Sequence, residues 1–176
     1  MTVEIAAPTA AAMREIGLRL SRLVRAGDLV VLSGALGAGP TTLAQGIGAG
    51  LGVRGTVTSP TFVIARVHPS LDSGPSLVHA DAYRLGGRLE VDDLDLDASL
   101  DDSVTLVEWG EGLVEELSAD RLEIEIVRAQ GGAEDTPDAA NARPGLDDET
   151  DAIRLVRVSA KGDRWADVDL AQLDVS

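Results

Sequence analysis

Between Asp28 and Gly46 the chain runs DLVVLSGALGAGPTTLAQG. DLVVLSG is a continuous apolar run with β-branched residues, the pattern of a strand buried on both faces in a parallel sheet. Gly34, Gly37 and Gly39 follow and permit backbone conformations that turn successive N–H groups inward on an anion. The helix that TTLAQG opens adds its positive end to the same spot. Strand, glycine loop and helix in this order is the setting of a phosphate-binding loop, G-x-x-x-x-G-K-[ST]. Residues 34–39, with Leu36 and Ala38 among the variable positions, match that pattern. Thr41 stands where a hydroxyl would ligate Mg²⁺, and Thr42 follows it. One letter departs: the lysine position holds Pro40.

Proline suits the first position of a helix, so the loop's shape can survive it. The chemistry changes. The ammonium that bridges the β- and γ-phosphates is gone, and so is one backbone N–H. Charge-assisted hydrogen bonds contribute about 1.5–3 kcal/mol each, so losing two weakens triphosphate binding by about 100-fold or more. Hydrolysis suffers further, because the ammonium offsets charge developing on the transferred phosphoryl group. Lys161 is the only lysine in the chain. Lys161 and Arg84 are therefore the residues to ask about as replacements.

Downstream, LVHAD and TLVE read as short apolar strands ending at Asp81 and Glu108. Ligands of open α/β sheets bind outside the carboxyl ends of the strands. If both strands are parallel neighbours of the loop strand, both acids lie at its mouth. One would hold Mg²⁺ or its waters, and the other would orient an attacking water or ligate the metal. An acid can also end a strand merely because the chain returns to solvent; two acids together with the loop favour the metal. TSPTF, with Thr58, Ser59, Pro60 and Thr61, reads either as a plain turn or as a switch that senses nucleotide. His68 and His79 lack metal-ligand spacing and read as structural.

The remaining pattern is simple. Residues 9–25 form an amphipathic helix, with Met13, Ile16, Leu20, Leu23 and Val24 on one face. TFVIARVH reads as a strand and EGLVEEL as a short helix. RLEIEIVR and IRLVRVSA alternate like half-exposed strands that pair as a hairpin. Residues 129–151 carry almost no apolar volume and are expected to be a disordered insertion. At 176 residues the chain fits one domain, spanning residues 1–176. With Phe62, Tyr83, Trp109 and Trp165 as its only aromatics, the core must be built from aliphatic side chains.

The net charge of −15 argues against direct binding to nucleic acid, where phosphates want Lys and Arg. There is no cysteine, hence neither disulfide nor thiolate metal site. No apolar stretch is long enough for a membrane span, and the N-terminus has no secretion signal, which makes a cytoplasmic protein the expectation.

The succession GDLVVLSG, GAG-x-TT, TSPTF, HADAYR and EWGEGL resembles the TsaE (YjeE) family. Those are small bacterial P-loop ATPases that support synthesis of threonylcarbamoyladenosine, beside the anticodon in tRNA. The resemblance is detailed over residues 27–127. It implies ATP and Mg²⁺ as cofactors, with residues 34–39, Thr41 and Thr42 as phosphate loop and Thr41 and Glu108 as magnesium ligands. It implies Asp81 as the Walker-B-type acid, supported by Tyr83 and Arg84. Trp109 would pack by the nucleotide, and residues 58–61 would be switch-like. TsaB- and TsaD-like proteins would be partners. The expected fold is an α/β, P-loop NTPase-like three-layer sandwich, with a mostly parallel central sheet and an antiparallel C-terminal portion. The leading function is an ATP-binding component of the tRNA modification machinery, impaired in hydrolysis by Pro40. The alternative is a non-catalytic interaction module that binds its partner proteins without nucleotide.

Overall fold

The computed structural model describes residues 1–34, 37–60, 64–83, 100–128 and 153–175. A single seven-stranded sheet organises them. Its centre is parallel, in the order β6 (Arg121–Arg128), β2 (Leu29–Gly34), β5 (Ser103–Glu108) and β4 (Ser76–Asp81). On the β6 side the sheet continues antiparallel through β7 (Arg154–Lys161) to β1 (Thr2–Ala7). On the other side β3 (Ala65–His68) pairs antiparallel with β4. The parallel centre and the antiparallel C-terminal hairpin agree with expectation, and antiparallel strands flank both edges. Helices α1 (Ala10–Leu20) and α2 (Pro40–Leu51) pack against each other on one face of the sheet.

Burial follows the sequence pattern. All six residues of β5 and the first four of β2 are buried, as their unbroken apolar runs require. β6 alternates instead: Leu122, Ile124 and Ile126 are buried with the helix-side core, while the glutamates between them face outward. Val31, Val78, Ala80 and Val107 turn to the opposite face, where Leu100 and Val114 cover them. Trp165, far from every motif, is fully buried in the helix-side core, and the Arg164 guanidinium lies 4.3 Å from its ring centre. Arg164 also bonds the buried Asp28 carboxylate at 3.0 Å.

The structure adds one strand and changes three sequence expectations. TVEIAA forms the edge strand β1, with Ile5 and Ala7 buried at the strand period. EGLVEEL yields only the 3-10 turn Glu115–Leu117. The helix expected over 9–25 stops at Leu20, with Thr9 as its N-cap through a 3.0 Å bond from the Ala12 N–H. The strand of Asp81 is also not a neighbour of the loop strand, because β5 lies between them. The strand expected over 61–68 is described over Ala65–His68, and the insertion at 129–151 lies outside the described residues.

The glycines of α2 have a packing reason. A Cβ on Gly46 would sit 2.2 Å from the Arg14 carbonyl oxygen, and one on Gly17 would sit 2.4 Å from that of Leu43. The two helices touch backbone to backbone at this crossing. That contact sets where the first turn of α2 lies.

Candidate phosphate-binding site

The period of two along each strand decides which side chains meet. Leu32, Leu106 and Ile126 all belong to the core beneath α1 and α2. Two residues further on, Gly34, Glu108 and Arg128 therefore lie on that same face, at the ends of β2, β5 and β6. In β4, Leu77 in the same core gives His79 and Asp81 that orientation too. The N-terminus of α2 stands over this row.

Glycine is required at both ends of the loop. Gly34 approaches the neighbouring strand so closely that a Cβ would meet the Ile126 carbonyl oxygen at 2.5 Å. Gly39 is the N-cap of α2 with φ 106° and ψ 30°, a left-handed conformation that side chains disfavour. No side chain caps this helix, and Pro40 takes its first position. The first backbone bond back into the loop is Leu43 N–H to the Gly39 oxygen, 3.2 Å. The N–H groups of Thr41 and Thr42 precede any intrahelical acceptor, the state in which a helix start receives an anion.

Thr41 Oγ1 lies 3.5 Å from Glu108 Oε1. That oxygen also meets His79 Nε2 at 2.7 Å. Glu108 and Asp81 are direct partners in the β4–β5 ladder, so two buried carboxylates stand side by side. Buried carboxylates are costly without hydrogen bonds. Glu108 has His79, and Asp81 Oδ1 accepts from the Tyr83 N–H at 3.0 Å. Trp109, directly after Glu108, adopts φ 60°, rare for a bulky residue. Its N–H bonds the Leu32 oxygen at 2.7 Å, and its ring lies 5.5 Å from that of Tyr83. Trp109 also lines a cleft with Ser33, Gly34, Ile126 and Val127.

Of TSPTF, Pro60 reaches the site through backbone. Pro60 is buried, and its oxygen accepts from the N–H of Ile64, whose φ is 66°. The Ile64 oxygen in turn accepts from the Asp81 N–H at 2.8 Å. Thr58 Oγ1 accepts from Arg66 at 3.2 Å. Leu36, Thr61 and Arg84 lie outside the described residues. Lys161 lies at the opposite end of β7, opposite Arg121, and pairs with Glu123 at 3.6 Å. Seven residues of strand, about 20 Å, separate it from Arg154.

Sequence reasoning set both histidines aside as structural. His79 is in the site, against Glu108. The signal was available: it stands two residues before Asp81, hence on the same face. His68 stands at the other end of the β3–β4 ladder, and burial lowers its imidazole pKa. Also missed were Arg128, whose Nη2 donates to the Gly37 oxygen at 3.2 Å, and Arg154, which lines a small cavity with Gly39 and Thr42.

A sheet with a parallel centre, a glycine loop leading into an uncapped helix, and acids ending the next two strands beyond the loop strand defines a P-loop-type α/β protein. The profile of the family described as "Threonylcarbamoyl adenosine biosynthesis protein TsaE" matches residues 7–135. A protein of Streptomyces coelicolor named tRNA threonylcarbamoyladenosine biosynthesis protein TsaE is 60% identical over 162 residues, 92% of this chain and 99% of its own length. One of the same name from Mycobacterium tuberculosis is 50% identical over 120 residues, 64% of this chain and 71% of its own. The crystal structure of Bacillus subtilis YdiB superposes with a TM-score of 0.65 at 28% identity, covering 94% of this chain and 89% of that one. The chain belongs to the TsaE family of threonylcarbamoyladenosine biosynthesis proteins. Among the described residues no helix is long and apolar enough to cross a membrane.

Proposed function

We propose that this chain is the nucleotide-binding component of the cytoplasmic machinery that makes threonylcarbamoyladenosine in tRNA. In this reading it binds ATP with Mg²⁺ weakly, hydrolyses it poorly, and acts through TsaB- and TsaD-like proteins rather than by gripping tRNA itself. One observation carries the reading: the uncapped start of α2, framed by Gly37 and Gly39, sits with the Thr41 hydroxyl beside the Glu108 carboxylate.

The donor set fits the group. Main-chain N–H groups suit a polyphosphate. A hydroxyl and a carboxylate suit Mg²⁺, which typically takes one or two carboxylates and completes its shell with phosphate oxygens and water. Among the described residues no three His, Cys, Asp or Glu side chains cluster to hold a metal by themselves, in keeping with that division of ligands. Thr41 and Glu108 would hold the ion, and His79 fixes the Glu108 carboxylate. Asp81 would orient the attacking water or a water on the metal. Residues 58–61 would report the nucleotide's presence through Ile64 to the backbone of Asp81. Bound Mg²⁺ would offset phosphate charge, a task Pro40 leaves without a lysine.

Calorimetry with ATP, with and without Mg²⁺, tests this. The expected result is a dissociation constant below the millimolar range with Mg²⁺ and slow phosphate release. Binding weaker than millimolar would instead favour the interaction module that works without nucleotide. Glu108→Gln is expected to weaken Mg·ATP about tenfold, the loss of one charged contact. It should leave binding indifferent to Mg²⁺. If the variant still responds to Mg²⁺ as the parent does, Glu108 is not a ligand of the ion.

A further inference from the structure

Arg128 and Arg154 are direct partners across the β6–β7 hairpin, at the end that faces the glycine loop. Arg128 follows Ile126 and Arg154 precedes Val156 at the strand period, and both of those are in the helix-side core. The two guanidinium groups therefore share a face. Arg128 Nη2 is 3.3 Å from where a Cβ on Gly37 would be, and Arg154 Nε is 3.8 Å from the same point on Gly39.

Like charges directly opposite each other in a ladder are destabilising. This pair persists in a chain with 30 acids and 15 bases, where a carboxylate partner is easy to supply. The other cations of this hairpin have such partners. Arg157 bonds Glu4 and Glu125, Arg121 bonds Glu123, and Lys161 pairs with Glu123. Arg128 and Arg154 have no ion pair among the described residues. Arg128 spends one donor on the Gly37 carbonyl, and the buried Nε of Arg154 has no hydrogen-bond partner. A guanidinium carries five donors, so among the described residues most of this capacity remains unused beside the loop.

The arrangement is two-sided. Glu108 and Asp81 end the strands on one side of β2, and Arg128 ends the strand on the other. Acids suited to a cation and arginines suited to an anion bracket the same loop.

We infer that Arg128 and Arg154 form a cationic clamp for the polyphosphate of a nucleoside triphosphate, supplying from the β6–β7 hairpin the charge that Pro40 cannot supply from the loop. The inference rests on the nucleotide-binding reading above. Guanidinium groups suit this task because their planar forks match phosphate oxygens in pairs.

The test is binding of Mg·ATP and of inorganic tripolyphosphate, measured by calorimetry, with thermal melting alongside. Arg128→Gln and Arg154→Gln are each expected to lower affinity for both probes about tenfold. The loss should shrink at high salt, and the melting temperature should hold or rise as the like-charge contact is relieved. Arg128→Lys and Arg154→Lys guard against a purely architectural role: they should lose clearly less affinity than the glutamine variants, because the charge remains although the paired fork does not. In a Pro40→Lys background the glutamine variants should cost less than in the parent, since two sources of one charge are coupled. If the parent binds and the glutamine variants bind equally well, or the lysine variants lose as much as the glutamine ones, the clamp is overturned and the nucleotide reading stands. If the parent binds neither probe, both fall.

Discussion

Replacing Pro40 by lysine raises the affinity for Mg·ATP by about 100-fold or more, the equivalent of two charge-assisted hydrogen bonds at about 1.5–3 kcal/mol apiece. The reasoning starts from the position. Pro40 is the first residue of α2, directly after a left-handed Gly39, so a side chain there leaves the loop at the point where the helix begins. Lysine restores both an ammonium and an N–H. Pro40→Ala separates them, since it restores the N–H alone and should recover only the smaller part of the gain. Proline at a first helical position mainly restricts the unfolded chain, so either variant should shift stability by only about 1 kcal/mol or less. A change in affinity would thus not be a change in folding. Phosphate release should rise by more than affinity, because the ammonium acts on charge that grows during transfer. Calorimetry and a phosphate-release assay on the same preparations check this. A lysine variant that binds no better than the parent would mean that the glycine loop does not hold polyphosphate, and the proposed function would fall with it.

The loop region was legible in the sequence because its rules are local. An unbroken apolar run means a doubly buried strand, glycines permit the turn, and both are written within Asp28 to Gly46. Asp81 and Glu108 were legible for a related reason, since each closes a short apolar strand. Their adjacency was less so: the order β2-β5-β4 depends on which crossover passes over which strand, and no residue states it. His79 was missed because a histidine inside an apolar run carries no periodic signal of its own. Only its two-residue spacing from Asp81, together with the β4–β5 register, brings it to Glu108. Arg128 and Arg154 were hidden by distance. They come together through a hairpin whose strands are separated by residues 129–153, and in sequence each is one arginine in a charged stretch. TVEIAA was short enough for its alternation to pass as noise, and the pairing with β7 is what makes it a strand.

Gly46→Val should destabilise the protein by at least about 3 kcal/mol, the upper range for overpacking a well-packed site. Two effects oppose. Replacing a mid-helix glycine by valine favours the helix by less than about 1 kcal/mol, since valine is itself a modest helix former. Against this, the new Cβ would meet the Arg14 carbonyl oxygen at 2.2 Å and Gly17 Cα at 3.0 Å. Both are backbone atoms of α1, so no rotamer relieves the contact and the helices must separate. The packing term wins. For a domain of this size the loss corresponds to a melting temperature lower by about 6–12 °C. Gly74→Ala is the control, because its added Cβ would have nothing nearer than 3.6 Å, and its melting should match the parent's. The milder Gly46→Ala links packing to the site. A methyl there still presses α2 away from α1, which moves the first turn of α2 relative to Glu108, a strand residue that does not follow. The Thr41–Glu108 contact is already 3.5 Å long. Gly46→Ala should therefore weaken Mg·ATP binding in protein that remains folded, although residue 46 contributes no side chain and lies outside the loop. If Gly46→Val melts with the parent, the backbone contact between the helices is not what positions α2. If Gly46→Ala melts lower yet binds nucleotide unchanged, the first turn of α2 is held by the loop itself.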